Sequence, residues 1–328
     1  MTPRFTRLIA ISLTILGISG GLAAPAAADY PDKPIRLVMP YPPGGPTDLL
    51  ARVVAMEMTQ SLGQSVVVDN RPGASGMIGT EAVARAKPDG YTVVANPSLH
   101  IINPSIYADM RYEPVADFVP VTQLAQVPLV LIVPATSPTR TVADLVALGK
   151  SRKNGLSYGS GGIASSHHLA AESFRTVTKI PMLHVPYKGS SPALTDLISA
   201  QVDFMFDSLS SAMPFIQSGQ LRAIAVTTRQ RSTALPDVPT IEQSGYPGFD
   251  IGTWYGIWAP KGTPADVVQK LSQHAARALQ QPQVQKRYAA LGAQPVGSTP
   301  EDFANYQAAE TRKWAEIVRR AGIQKTQP

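Results

Sequence analysis

Ile35-Arg36-Leu37-Val38-Met39 runs into Pro40-Tyr41-Pro42-Pro43-Gly44-Gly45-Pro46, after which Thr47-Asp48 opens a helical pattern. Apolar residues at Leu49, Leu50, Val53, Val54, Met58 and Leu62 keep one face of that helix, and Gly63 ends it. The stretch therefore reads as strand, turn and helix. The same unit recurs at once: Val66-Val67-Val68 predicts a strand, 70–76 a loop, 77–86 a helix, and Tyr91-Thr92-Val93-Val94 the next strand. Strands that alternate with helices in this way imply a parallel sheet covered by helices.

A second series starts with a strand at 128–133. It continues through a helix at 142–150, a strand at 156–158, a Gly- and Ser-rich loop at 159–166 and a helix at 167–177. The segment 184–190, a helix at 192–199 and strands at 202–206 and 224–228 follow, and the tail from Pro264 reads as helical, with caps at Thr263 and near Thr299-Pro300. A chain of 328 residues has room for two cores. The expected division places 29–125 with 229–328 in one α/β domain and 126–228 in a second, the tail returning to the first.

Composition excludes several chemistries. Without Cys there is no thiolate nucleophile, iron–sulfur cluster or Cys-type zinc site. Against 23 acidic residues the 29 basic ones give a mild +6, and no run of like charges marks a nucleic-acid arm. At the N-terminus, Arg4 and Arg7 precede an apolar stretch at 8–19 and Ala26-Ala27-Ala28, the pattern of a cleaved export signal. That stretch is too short for a bilayer core of about 30 Å, and Gly17, Gly20 and Gly21 interrupt it. The expected product is an exported, periplasmic chain beginning at Asp29.

Four loops share one design, in which a strand ends, Gly, Ser, Thr or Pro residues follow, and a helix begins. In an open α/β sheet such loops lie at the carboxyl ends of the strands, where ligands bind, and each following helix offers unpaired amides with partial positive charge. Turn and cap chemistry alone explains any one of them. Four together point to an anion site.

The motifs also carry a resemblance. Tyr30-Pro31-Asp32-Lys33-Pro34-Ile35, Pro42-Pro43-Gly44-Gly45-Pro46-Thr47-Asp48, Asp69-Asn70-Arg71-Pro72-Gly73 and Lys87-Pro88-Asp89-Gly90-Tyr91-Thr92 open it. Gly159-Ser160-Gly161-Gly162, His168-Leu169, Val185-Pro186-Tyr187-Lys188-Gly189-Ser190, Phe206-Asp207, Ala225-Val226-Thr227, Pro236-Asp237-Val238-Pro239-Thr240 and Trp314-Ala315 continue it in order. Over essentially the whole chain after residue 28 the sequence resembles the Bug family, the extracytoplasmic solute receptors of the tripartite tricarboxylate transporter type. The resemblance implies a type II periplasmic binding-protein fold, two α/β domains joined by crossing strands and closing on a small carboxylate in the cleft between them. It implies no cofactor and no catalytic step. Some members deliver ligand to a membrane permease, and a receptor that signals to a sensor protein is the other partner arrangement; monomer is the default for a protein that opens and closes.

Carried over by motif, the first ligand loop has Tyr41, Gly44, Gly45, Thr47 and Asp48, with the amides of Gly44, Gly45 and Thr47 facing a carboxylate. Asp48 has the wrong sign for that ligand, and a favourable charge in the first helical turn is its other reading. The second loop offers Ala74, Ser75 and Gly76, the third Ser160, Ser165 and His168, and the fourth Tyr187, Lys188, Gly189 and Ser190. Asp207 is the candidate partner of an amino group or an ordered water. Where the family often has Gly-Gly-Gly-Thr-Asp this chain has Gly44-Gly45-Pro46-Thr47-Asp48, and Pro46 removes one amide donor.

Competing patterns are present. Gly155-Leu156-Ser157-Tyr158-Gly159 matches the nucleophile elbow of α/β-hydrolases, with Asp203, Asp207 and His274 downstream, which makes a periplasmic hydrolase-like enzyme the alternative. An elbow needs an apolar strand directly before the Ser, whereas Lys150-Ser151-Arg152-Lys153-Asn154 precedes it. Gly159-Ser160-Gly161-Gly162-Ile163-Ala164 matches a dinucleotide fingerprint but lacks an acidic residue between Arg175 and Pro192. His167 and His168 are adjacent, about 100° apart on a helix, so they do not form a metal pair. Trp254, Tyr255 and Trp258 are candidates for a pocket wall or for core packing.

Overall fold

The computed structural model describes residues 30–163, 165–320 and 322–325, so the expected export segment lies outside the described residues. The first half of the chain gives β1 (Ile35–Met39), α1 (Pro46–Leu62), β2 (Val66–Asn70), α2 (Met77–Ala84), β3 (Thr92–Pro97), α3 (Leu99–Ile102) and β4 (Phe118–Pro134). Next come α4 (Val142–Ser151), β5 (Leu156–Ser160), α5 (Ser166–Thr178), β6 (Met182–Pro186), α6 (Ser190–Ile198), β7 (Phe204–Ser208), α7 (Leu209–Gln217) and β8 (Leu221–Val226). β9 (Gly252–Pro260), α8 (Ala265–Gln280), α9 (Pro282–Ala290), β10 (Gln294–Pro295) and α10 (Pro300–Arg320) complete it.

β1 pairs in parallel with β2 and β3, and β9 runs antiparallel to β3 and to residues 118–128 of β4. From residue 129 the same strand leaves β9 and pairs antiparallel with β7 and β8, while β5 joins β6 and β7 in parallel. β4 thus crosses from one group of strands to the other, and the chain crosses back between β8 and β9. The result is a two-domain α/β fold. Its parallel strands aim the loops after β1, β3, β5 and β6 at one crevice.

The sequence pattern starts this strand at 128, and the structure starts it ten residues earlier. Pro120 and Pro128 argue against an interior strand, since each removes a ladder donor. Register shifts between Pro120 and Thr122 and between Gln123 and Ala125 accommodate the irregularity, leaving the strand continuous. Other boundaries moved by smaller steps, with one consequence: β7 ends at Ser208, so Asp207 lies inside a fully buried strand and not after it.

α1 buries Leu50, Val54 and Met58 of the expected face, with Ala51 and Ala55 beside them, while Leu49, Val53 and Leu62 are half-buried at its edge. The tail helices pack on it: Nδ1 of His274 lies 2.9 Å from Ser61 Oγ, and the Tyr288 hydroxyl donates to Leu50 O at 3.0 Å. Thr299 caps α10, accepting from the Asp302 amide, whereas Thr263 donates to Pro260 O and Pro264 occupies the cap position of α8. α10 docks on β9 through Glu310, which accepts from the indoles of Trp254 and Trp314 at 2.9 and 3.0 Å. Trp258 donates to Gln307. Trp254 and Trp258 are therefore core residues, and alternation along the strand turns Tyr255 to the opposite face.

His100 is sealed between Phe118 and Trp258 with Nε2 bonded to Pro114 O, and burial lowers its pKa to about 3. His184 is also lowered to about 3, first by burial and then by the neighbouring His168. As pH falls below the ordinary value of 6.5, the unfolded chain takes up protons that the folded chain refuses. Stability is therefore expected to fall from about pH 6.5 toward 3. The urea midpoint at pH 4.5 should lie below that at pH 7, and His100→Phe should flatten the difference; a pH-independent midpoint contradicts this account.

Candidate functional site

A cavity of about 50 Å³ lies between the loops, walled by Tyr41, Pro42, Gly45, Pro46 and Thr47 on one side and by Gly161, Ser165, Ser166, His167, Gly189, Ser190 and Ser191 on the other. Pro97 at the end of β3, Leu99 at the start of α3, and Thr253 and Tyr255 of β9 close the rest. The two sides meet: a Cβ placed on Gly189 would lie 3.4 Å from Pro42 Cδ, and one on Gly44 would lie 3.8 Å from Ser191 Oγ.

Three helices start at this cavity. The cap residues of α1, α5 and α6 are Gly45, Ser165 and Gly189, and all three line it. First-turn amides have no intrahelical acceptor, so Thr47, Ser166 and His167, and Ser190 and Ser191 present N–H groups there. Each terminus contributes about 0.3–1 kcal/mol toward an anion, and up to about 2 in a partly buried setting. The hydroxyls of Thr47, Ser166 and Ser191 make no hydrogen bond with any described residue.

Of the residues expected from the motifs, Tyr41, Gly45, Thr47, Ser165, Gly189 and Ser190 line the cavity. The others do different work. The Gly44 amide donates to Asp48 Oδ2 at 3.1 Å, so it is not available to a ligand. Asp48 also accepts from Arg52 at 2.8 Å and Asn70 at 3.0 Å. Burial raises its pKa, but these bonds outweigh that and hold the carboxyl below its ordinary value. Asp48 therefore braces the start of α1, as its charge suggests.

Ala74, Ser75 and Gly76 form a single 3-10 turn outside the cavity wall. Ser75 Oγ bonds the Tyr107 hydroxyl at 2.7 Å, and a Cβ on Gly76 would strike the Tyr41 hydroxyl at 2.7 Å, so this loop supports the Tyr41 ring from behind. Ser160 is buried against Gly162 and His184. His168 stacks on His184 at 4.0 Å and beside Tyr158, away from the cavity. Its neighbour His167, about 100° round the helix, lines the cavity instead.

Tyr187 donates to Asp196, and Lys188 is exposed on the rim. Lys188→Ala is expected to change affinity by no more than about twofold, since such surface changes stay within about 0.5 kcal/mol; titration calorimetry checks it. Asp207 is fully buried and accepts from Ser190 Oγ at 2.7 Å and Ser211 Oγ at 2.6 Å, with His167 Nε2 at 3.3 Å. It holds two cavity residues in place and does not itself line the wall.

Ser166, Ser191, Pro97, Leu99 and Thr253 were not foreseen. Ser191 continues the fourth motif and Tyr255 sits in the aromatic run, but nothing in the sequence marks Pro97 or Leu99. Arg71 pairs with Asp69 and Arg229 with Asp250, both outside the cavity. The hydrolase triad is not assembled: Ser157 Oγ donates to Asp203, while His274 bonds Ser61 on the far helix. Among the described residues no three His, Asp or Glu side chains cluster to hold a metal, and no helix is long and apolar enough to cross a membrane.

Fold and cavity together define a ligand-binding receptor of the periplasmic binding-protein class. Residues 50–323 match the family model of the tripartite tricarboxylate transporter family receptor, and the chain belongs to that family. It is similar to protein BugT of Bordetella pertussis, with 39% identity covering 97% of this chain and 98% of that one, as the Bug motifs lead one to expect. Two solved structures from Rhodopseudomonas palustris share the fold. Rpa4515 with adipate matches at TM-score 0.89 and 36% identity, covering 91% of this chain and 100% of that one. MatC with bound malate matches at TM-score 0.83 and 32% identity, covering 88% and 100%.

Proposed function

We propose that this receptor captures a small organic carboxylate by closing two halves, 29–125 with 229–328 and 126–228, over the cavity. The observation that carries the reading is the convergence of the α1, α5 and α6 N-termini, with the hydroxyls of Thr47, Ser166 and Ser191, on one cavity. Carboxylates bound to the two Rhodopseudomonas relatives support it. The ligand-facing set is Tyr41, Gly45, Thr47, Ser165, Ser166, Gly189, Ser190 and Ser191. No bond is made or broken in the ligand. The chain works in the periplasm after removal of 1–28, as a monomer, and passes its ligand to a tripartite tricarboxylate transporter permease or reports it to a sensor.

Thermal unfolding against a panel of small carboxylates and their neutral amides tests this. At 100 times its dissociation constant a ligand adds about 2.7 kcal/mol, a shift of several degrees at this size. A shift with carboxylates and none with amides is expected. Equal shifts with both, or consumption of a panel compound, would sink the receptor reading.

A further inference from the structure

A second cavity, of about 220 Å³, lies away from the ligand loops. Ser173, Thr176 and Val177, on one face of α5, line it together with Ile317 of α10, and the connecting segment 247–251 closes it. On the division proposed above, α5 belongs to one half of the receptor and α10 to the other. Both cavities are therefore seams between the same two halves. α5 joins them: Ser166 in its first turn lines the ligand cavity, and Ser173 to Val177 lie about 11–17 Å further along its axis.

Between the two cavities the halves are pinned. Thr227 is fully buried, and its hydroxyl lies within hydrogen-bond reach of Leu129 O at 3.0 Å and of Ile251 O. It also accepts from the Leu129 amide at 3.1 Å. The backbone adds two bonds, Thr227 N to Leu129 O at 3.0 Å and Ile251 N to Thr227 O at 3.1 Å. Leu129 is the point at which β4 exchanges β9 for β7 and β8. Ile251 lines the second cavity, whereas Thr253 and Tyr255, further along the same chain, line the ligand cavity. The pin thus falls between the seams.

Two bodies that turn about a pin open one seam only by closing the other. Here the ligand seam is shut: a Cβ on Gly162 would lie 3.7 Å from Ser75 Oγ, in addition to the approaches of Gly189 to Pro42 and of Gly44 to Ser191. The second seam is the one that holds space. Opening the ligand seam consumes that space, and close-packed side chains resist such overfilling.

We propose that the second cavity sets the receptor's affinity without touching the ligand: it is the space the halves give up when the ligand cleft opens, so bulk placed in it from Ser173 or Thr176 holds the receptor shut. The proposal rests on the closing of two halves stated above and names its control point. Raising the closed fraction of the ligand-free protein lowers the apparent dissociation constant by the same factor. Neither side chain lines the ligand cavity.

The chain has no Cys, so a single pair of introduced thiols can carry spin labels. Gln60→Cys in α1 and Gln201→Cys after α6 are exposed positions on opposite halves, and pulsed electron paramagnetic resonance reads the distance between them. The ligand-free protein is expected to show a long distance that Ser173→Phe and Thr176→Trp remove. In titration calorimetry with malate, adipate and succinate, the best-bound of the three should bind about threefold tighter or more to both variants. Urea unfolding checks each fold, and because Thr176 is exposed and Ser173 half-buried, either variant alone decides if the other unfolds. A long distance that survives in a folded variant, or an affinity that stays the same or weakens, would overturn the proposal while leaving closure intact. One distance shared by the free protein, the variants and all three carboxylate solutions would overturn closure as well. Failure of all three to bind would count against the carboxylate reading and leave the distances to decide the proposal.

Discussion

Thr47→Val is expected to weaken carboxylate binding by about 10- to 100-fold while leaving the unfolding midpoint of the ligand-free protein unchanged, because a hydrogen bond to a charged group is worth about 1.5–3 kcal/mol. Thr47 is the second residue of α1, 4% exposed, and lines the cavity. Its hydroxyl makes no hydrogen bond with a described residue, so the donor is free for a ligand. Valine keeps the branched shape and the backbone amide, and only the O–H is lost. The change therefore separates the hydroxyl from the dipole of α1, which stays.

Ser165 makes the useful contrast. Its hydroxyl donates to Gly162 O at 2.8 Å and accepts from the His168 amide at 3.2 Å, so it caps α5 and has no proton left for a ligand. Ser165→Ala should lower stability by about 1 kcal/mol, the usual worth of such a cap, and weaken binding less than Thr47→Val does. Calorimetry and urea unfolding on the two single variants distinguish the roles. If Ser165→Ala weakens binding more than Thr47→Val, the ligand sits deeper toward α5 than the free hydroxyl of α1 implies.

How far these roles were legible differs by element. β1 and α1 were readable because one strand of five apolar or half-buried residues and one amphipathic helix are separated by Pro and Gly, and each signal is local. β4 was not, since its first part is held by pairing with β9, more than a hundred residues away, against the local veto of Pro120 and Pro128. The same division runs through the site. Gly45, Thr47, Gly189 and Ser190 sit at helix starts, where sequence shows the cap chemistry. His168 comes from a motif and not from a helix face, and its neighbour His167, about 100° round α5, is the one that lines the cavity. The Gly44 amide is subtler: it is taken by Asp48 four residues on, a bond that no spacing rule demands. Pro97 and Leu99 become wall residues only when β3 and β9 are placed side by side.

Asp207→Ala is expected to damage both stability and binding. Asp207 has no exposed surface, and its carboxylate accepts from Ser190 and Ser211 and lies 3.3 Å from His167 Nε2. Each buried donor left without a partner costs about 1–3 kcal/mol. Ser211 can turn to Ser208 O, which it already meets at 3.0 Å, so the sum falls below three full penalties. A loss of about 2–4 kcal/mol is expected, read as a lower urea midpoint. Ser190 and His167 both line the cavity, and without Asp207 neither rotamer is fixed, so affinity should fall by about 10-fold or more as pre-organisation is lost. Asp207→Asn keeps the shape and one acceptor oxygen, and should lie between alanine and wild type on both measures. The two readouts decide what Asp207 does. Weaker binding at unchanged stability would mean that it touches the ligand directly, and lost stability at unchanged affinity would mean that the positions of Ser190 and His167 do not matter to the ligand.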